Sequence, residues 1–223
     1  MSVIYFRPQA LETIARTALM KYSPSYLNRE PQATPIEKII EDVYGLSIEY
    51  KYLTNNAREL GRMIYDDGIT TYFNKEINDY ELLRVNAGTL LIEASLLDDE
   101  NCYGRLRFTL AHELAHWLIH KKIFSGTGEA AALYNTNEDD DATEWQANYL
   151  ATAILMPNGQ IKRCFYALRP KCKGQAQFVC EMAKVFDVSK KAMEIRLIDF
   201  SLLKPAHGFF IPFSFAVQRI YKQ

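Results

Sequence analysis

Apolar residues first recur at helical intervals. Leu11, Ile14, Ala15, Ala18 and Leu19 share one face of a helix predicted over 9–22. Segment 21–35 holds three prolines and reads as a connector. A second stripe follows at Ile36, Ile39, Ile40 and Val43. It starts near Pro35, with Thr34 as a candidate cap, and stops before Gly45. The pattern then shortens to strand-like runs at 46–53, 61–74 and 88–95, with Asp67-Gly68 as a hairpin turn in the second. From 104 to 121 the helical period returns. An acidic loop over 125–141 leads to a third long helix, "DATEWQANYLATAILMP", stopped by Pro157. Basic, helical sequence continues to Leu203. Strands early and helices late predict an α+β fold, with a small mixed or antiparallel sheet packed on helices.

Composition narrows the class. Apolar residues make up 48% of 223, enough for a sizeable core, and the formal net charge is only -1. That balance argues against whole-chain attraction to nucleic acid. The four cysteines, Cys102, Cys164, Cys172 and Cys180, form no CxxC pair and suggest no secreted disulfide framework. The first residues lack the layout of a secretion signal. The most apolar late stretch, 209–217, is too short to span a bilayer and is broken by Pro212. These features predict a cytoplasmic protein without a membrane segment.

The candidate chemistry lies in "RFTLAHELAHWLIH", Arg107 to His120, which holds three of the four histidines of the chain. His112 and His116 lie one helical turn apart, so both imidazoles can reach one ion. Zinc takes such nitrogen donors, usually with one more protein ligand and an open position. Glu113 sits beside the first histidine and can take a proton from a water there. The neighbours Leu110, Ala111, Leu114, Ala115 and Leu118 suit a buried helix, which would not carry polar groups without compensation. His120 continues the same face. Two further turns from His112 amount to about 12 Å, so packing or a hydrogen bond near the site suits it better than ligation. Candidates for the third ligand are Glu129, Glu138, Asp139, Asp140, Asp141 and Glu144. Glu144 is favoured because it begins a helix and is followed one turn later by Asn148, which could steady a ligand histidine.

"RFTLAHELAHWLIH" with "EWQANYLATAILMP" resembles the ImmA/IrrE family of metallopeptidases. The resemblance implies a zincin-like core with His112, His116 and Glu144 as zinc ligands and Glu113 as general base. It also implies a helix-turn-helix repressor as protein substrate. Ala115 stands where the family has glycine, and Gln146 where it has a second acidic residue. The oxyanion donor stays open among His207, Arg107 and the tyrosines. The expected domains are an N-terminal helix and connector (1–34), a zincin-like domain (35–160) and a helical subdomain with tail (161–223). Within the last, 181–200 has the rhythm of a helix-turn-helix, with Ser189 as cap and Lys190, Lys191 and Arg196 as charge. Glu194 and Asp199 dilute that charge, so no direct DNA binding is expected. The rival reading is an inactive or structural-metal regulator that binds a repressor or DNA.

Overall fold

A computed structural model describes residues 5–99, 102–126 and 138–203, with the side chains of 138–141 also left aside. Glu129, the side chains of Glu138 and Asp139 to Asp141, His207 and the 209–217 stretch therefore lie outside the described residues. Among the described residues the order is α1 (Pro8–Tyr22), α2 (Ile36–Lys38), β1 (Ser47–Lys51), β2 (Gly61–Met63), β3 (Gly68–Asn74), β4 (Asp79–Val85) and β5 (Thr89–Glu93). Five helices follow: α3 (Tyr103–Phe124), α4 (Glu138–Leu155), α5 (Asn158–Leu168), α6 (Gln175–Phe186) and α7 (Lys190–Asp199). The fold is α+β.

Helix α2 runs on into a π-type turn over Ile39–Val43. Gly45, at φ 63°, ends it in the left-handed conformation that a Cβ would disfavour. Thr34 does not cap this helix. Its hydroxyl donates instead to the Ile154 carbonyl near the end of α4, at 2.9 Å.

The sheet has the order β1-β5-β2, with β1 parallel and β2 antiparallel to β5. Every residue of β5, TLLIE, is buried, as a central strand covered on both faces requires. Successive side chains alternate faces: Leu90 and Ile92 join the main core, while Leu91 joins a smaller cluster with Leu53, Ile64 and Val85. Strands β3 and β4 form a separate antiparallel hairpin. The expected turn at Asp67-Gly68 is not one, for β2 and β3 do not pair with each other. Both aspartates there are engaged elsewhere: Asp67 accepts from the Ala87 N–H and Asp66 from the Gly126 N–H. The hairpin turn falls after Asn74, whose side chain accepts from the Glu76 N–H, with Asn78 at φ 53°.

Helix α3 is buried around most of its circumference between Leu106 and His120, as its apolar surroundings require. It packs on β2 and β5 on one side and on α4 on the other, and α1 covers α4. The main core is continuous through α1, α3, α4, α5, α6 and α7. The helix pair α6–α7 has its expected turn: Ser189 caps α7 by accepting from the Ala192 N–H, and Asp187 adopts φ 55°. Arg196, expected to charge the surface of α7, is fully buried. Its guanidinium donates to the Met156 carbonyl through Nε (3.1 Å) and one terminal nitrogen (2.9 Å), and the other terminal nitrogen pairs with Glu12 at 2.7 Å. It therefore clasps the end of α4 to α1. All four cysteines are free, and burial pushes the Cys164 thiol up to about 11. Among the described residues no helix is long and apolar enough to cross a membrane.

Candidate metal centre

Helical periodicity places His112, His116 and His120 in one row on α3, opposite Glu144 and Asn148 in a row on α4. Leu110, Leu114, Leu150 and Ile154, all fully buried, lock the two helices so that the rows face each other. His112 Nε2 and His116 Nε2 lie 3.0 Å apart. The Glu144 carboxylate sits against both, 3.3 Å from His112 and 3.1 Å from His116. Tetrahedral zinc with bonds of 2.0–2.1 Å needs its donors about 3.3 Å apart. The three side chains thus offer two imidazole nitrogens and a carboxylate at the spacing one such ion requires, and they form a group able to hold a metal ion.

The outer nitrogens of both rings are also engaged. His112 Nδ1 donates to Asn148 Oδ1 at 3.1 Å. His116 Nδ1 lies 3.0 Å from His120 Nδ1. Asn148 thus lies behind His112, on the side of the ring away from Glu144. His120 stands behind His116 and outside the donor group.

Electrostatics sort the members. Burial alone would raise the Glu144 carboxyl, but hydrogen bonds and charge from His112 and His116 outweigh it and hold the group well below the usual carboxylate range. Burial works against protonation of both histidines. For His112 it is overcome by Glu144, Glu113 and Asn148, so its pKa is raised; for His116 it prevails, aided by the nearby His112. Of the two rings, His112 is therefore the one that more readily takes a proton beside Glu144 when no metal is bound. A cation would take over that role.

Glu113 points elsewhere. Its carboxylate is 5% exposed and accepts a hydrogen bond from the Met63 N–H of β2. Burial raises it to about 7, with the charges of Glu144 and Glu59 adding to the rise and His112 opposing it. The approach of α3 to β2 is close enough to need a glycine. A Cβ at Gly61 would lie 2.5 Å from Glu113 Oε1 and 2.8 Å from Thr109 Cγ2. Gly61 and the Met63 backbone carry no mark of the site in the sequence pattern. A glycine opening a short strand is a signal of close backbone approach, but nothing local tells what approaches.

Two further residues find other roles. Arg107 donates to the Thr34 carbonyl (2.7 Å) and the Asp187 carbonyl (3.1 Å), joining the α6–α7 turn to the chain before α2. Gln146, fully buried, accepts from the Phe6 N–H at 2.8 Å and donates to the Ala142 carbonyl at 3.2 Å. Its neutrality serves the packing of the N-terminal segment.

Two histidines one turn apart and a facing glutamate, carried on paired helices beside a small sheet, define a metallopeptidase-type centre. The model of the M78 peptidases, described as the IrrE N-terminal-like domain, matches residues 68–198, more than half of the chain. The chain belongs to this family, in agreement with the resemblance drawn from its motifs. No curated protein matches it. Among solved structures it is similar to a Mycobacterium tuberculosis transcriptional regulator, with 15% identity and a TM-score of 0.48; the match covers 83% of this chain and 55% of that one.

Proposed function

We propose that the protein is a zinc-dependent endopeptidase whose substrate is a helix-turn-helix transcriptional repressor. The observation that carries the catalytic part is the convergence of His112, His116 and Glu144 at metal-ligand spacing, with a separately held carboxylate beside them. The two histidines and Glu144 would hold the ion, and Asn148 orients His112. When bound, the ion supplies Lewis-acid polarisation of a water and of the scissile carbonyl. Glu113 accepts a proton from the attacking water and returns it to the leaving amine. Burial prepares it for this by raising its proton affinity to about 7, near the pH at which both transfers must run. Strand β2 is an edge of its sheet and lies against Glu113. An extended peptide laid along that edge passes the base, which suits cleavage within a chain. The choice of a repressor as substrate rests on the resemblance to the ImmA/IrrE family. The burial of Arg196 supports a packing role for α6–α7 over direct DNA binding, since it withdraws one of the three cations assigned to that surface.

The test pairs two measurements on the same preparations. Elemental analysis of protein purified without chelator should find close to one zinc per chain, largely lost in His116→Ala. Cleavage of a co-expressed helix-turn-helix repressor should fall by roughly 10²–10⁴ in Glu113→Gln, with zinc retained. Wild-type cleavage by Glu113→Gln would sink the hydrolytic reading, and equal zinc in His116→Ala would sink the site.

A further inference from the structure

We infer that His120 is a positioning residue for the metal centre: its neutral imidazole accepts the Nδ1–H of His116 and so fixes His116 with its Nε2 lone pair turned toward His112 and Glu144. This inference rests on the metal-binding reading above and adds to it a second buried histidine that touches no metal.

The geometry leaves few alternatives. Two ring nitrogens 3.0 Å apart, His116 Nδ1 and His120 Nδ1, can coexist in a buried place only with one proton between them. A neutral imidazole has one donor and one acceptor nitrogen. If His116 offers Nε2 to an ion, its proton must sit on Nδ1, and His120 Nδ1 must then be the acceptor. The single proton of His120 is thereby confined to Nε2. That atom is buried with no hydrogen-bond partner among the described residues, although the ring is fully enclosed. An unsatisfied buried N–H carries a desolvation cost. An apolar side chain at position 120 would avoid it. What the histidine provides in exchange is an acceptor aimed at His116.

The choice of acceptor has a chemical consequence. Ligand histidines are commonly backed by carboxylates, which add negative charge to the site. Here His112 is backed by an amide oxygen and His116 by an imidazole nitrogen, both neutral. The rings are oriented without loss of electrophilicity at the ion.

Two variants separate acceptor from filler. In His120→Asn the amide Oδ1 can stand where the imidazole Nδ1 stood; His120→Leu fills space but accepts nothing. Zinc affinity is measured by competition with a chromogenic chelator on the full chain. His120→Leu should bind zinc roughly 10–100-fold more weakly than wild type, while His120→Asn stays within a few-fold of it. In the zinc-loaded, ¹⁵N-labelled wild type, a through-hydrogen-bond coupling should link the two Nδ1 nuclei. The inference is overturned if His120→Leu binds zinc as wild type does, or if both variants lose affinity equally. Should His120→Leu fail to fold, the coupling decides: its absence overturns the assignment. Zinc binding by wild type together with either overturning result removes this inference alone. A wild type with no zinc affinity removes the metal reading, and both fall.

Discussion

Replacing Glu113 by glutamine should stabilise the metal-free protein, and only above a defined pH. Burial raises the Glu113 pKa from the usual 4.5 to about 7. Between those values the folded chain keeps a proton that the unfolded chain has released. Stability is therefore greatest below 4.5 and is lost as pH rises through 7. The loss is about 1.4 kcal/mol per unit. Over the whole window it comes to about 3 kcal/mol, the cost of holding an ionised carboxylate beside Glu144 and Glu59 with little water. Glutamine has nothing to ionise, and its Oε1 can still accept from the Met63 N–H. Urea unfolding of the two metal-free proteins at pH 4 and pH 8 measures the difference. Glu113→Gln should match wild type at pH 4 and exceed it by about 3 kcal/mol at pH 8, with equal slopes against urea. A constant difference at both pH values would refute the reasoning, because it would place the effect in packing instead of ionisation. The same variant is the one expected to lose cleavage, so stability and activity should move in opposite directions.

Gly61→Ala places a Cβ 2.5 Å from Glu113 Oε1, and a base displaced by even 1 Å should cost roughly 10²-fold in cleavage rate. Zinc stoichiometry should not change, which elemental analysis of the cleavage samples checks. Asn148→Leu removes the acceptor behind His112 and should weaken zinc binding about 10–100-fold in chelator competition, leaving the melting temperature of the metal-free protein close to that of wild type. Arg196→Met leaves Glu12 with only the Tyr149 hydroxyl and strands the Met156 carbonyl, and should cost about 3–5 kcal/mol in urea unfolding; a loss within about 0.5 kcal/mol, the range of ordinary surface substitutions, would remove the clasp as a stabilising element.

Local patterns carried most of the site into view. His112, Glu113 and His116 fall on one helix at fixed offsets, and Glu144 and Asn148 repeat the interval on the next. The contact between the rows is long-range, yet each row is defined within two turns. Strand pairing is different. β5 joins β1 on one side and β2 on the other, and neither neighbour can be read from the strand itself, so Asp67-Gly68 has the composition of a hairpin turn without joining paired strands. Strand β4 hid for a related reason: its exposed Tyr80 and Leu82 sit among charged residues and blur the alternation. Lys190, Lys191 and Arg196 look alike in a charge count, so the burial of Arg196 is not legible there. Which turn of α7 faces α4 depends on Met156 and Glu12, far away in the chain. His120 was legible as a neighbour of the site. Its acceptor role needed the distance to His116.

The Arg196 clasp has a consequence for folding. Glu12 lies on the first described helix and Arg196 on the last, so their pairing has one of the longest loops among the described residues to close. Helix α4 lies inside that loop, and the clasp grips its final turn at Met156. Until α7 has formed, the helix bearing Glu144 lacks its terminal anchor. With this arrangement the final packing of α4 waits for α7.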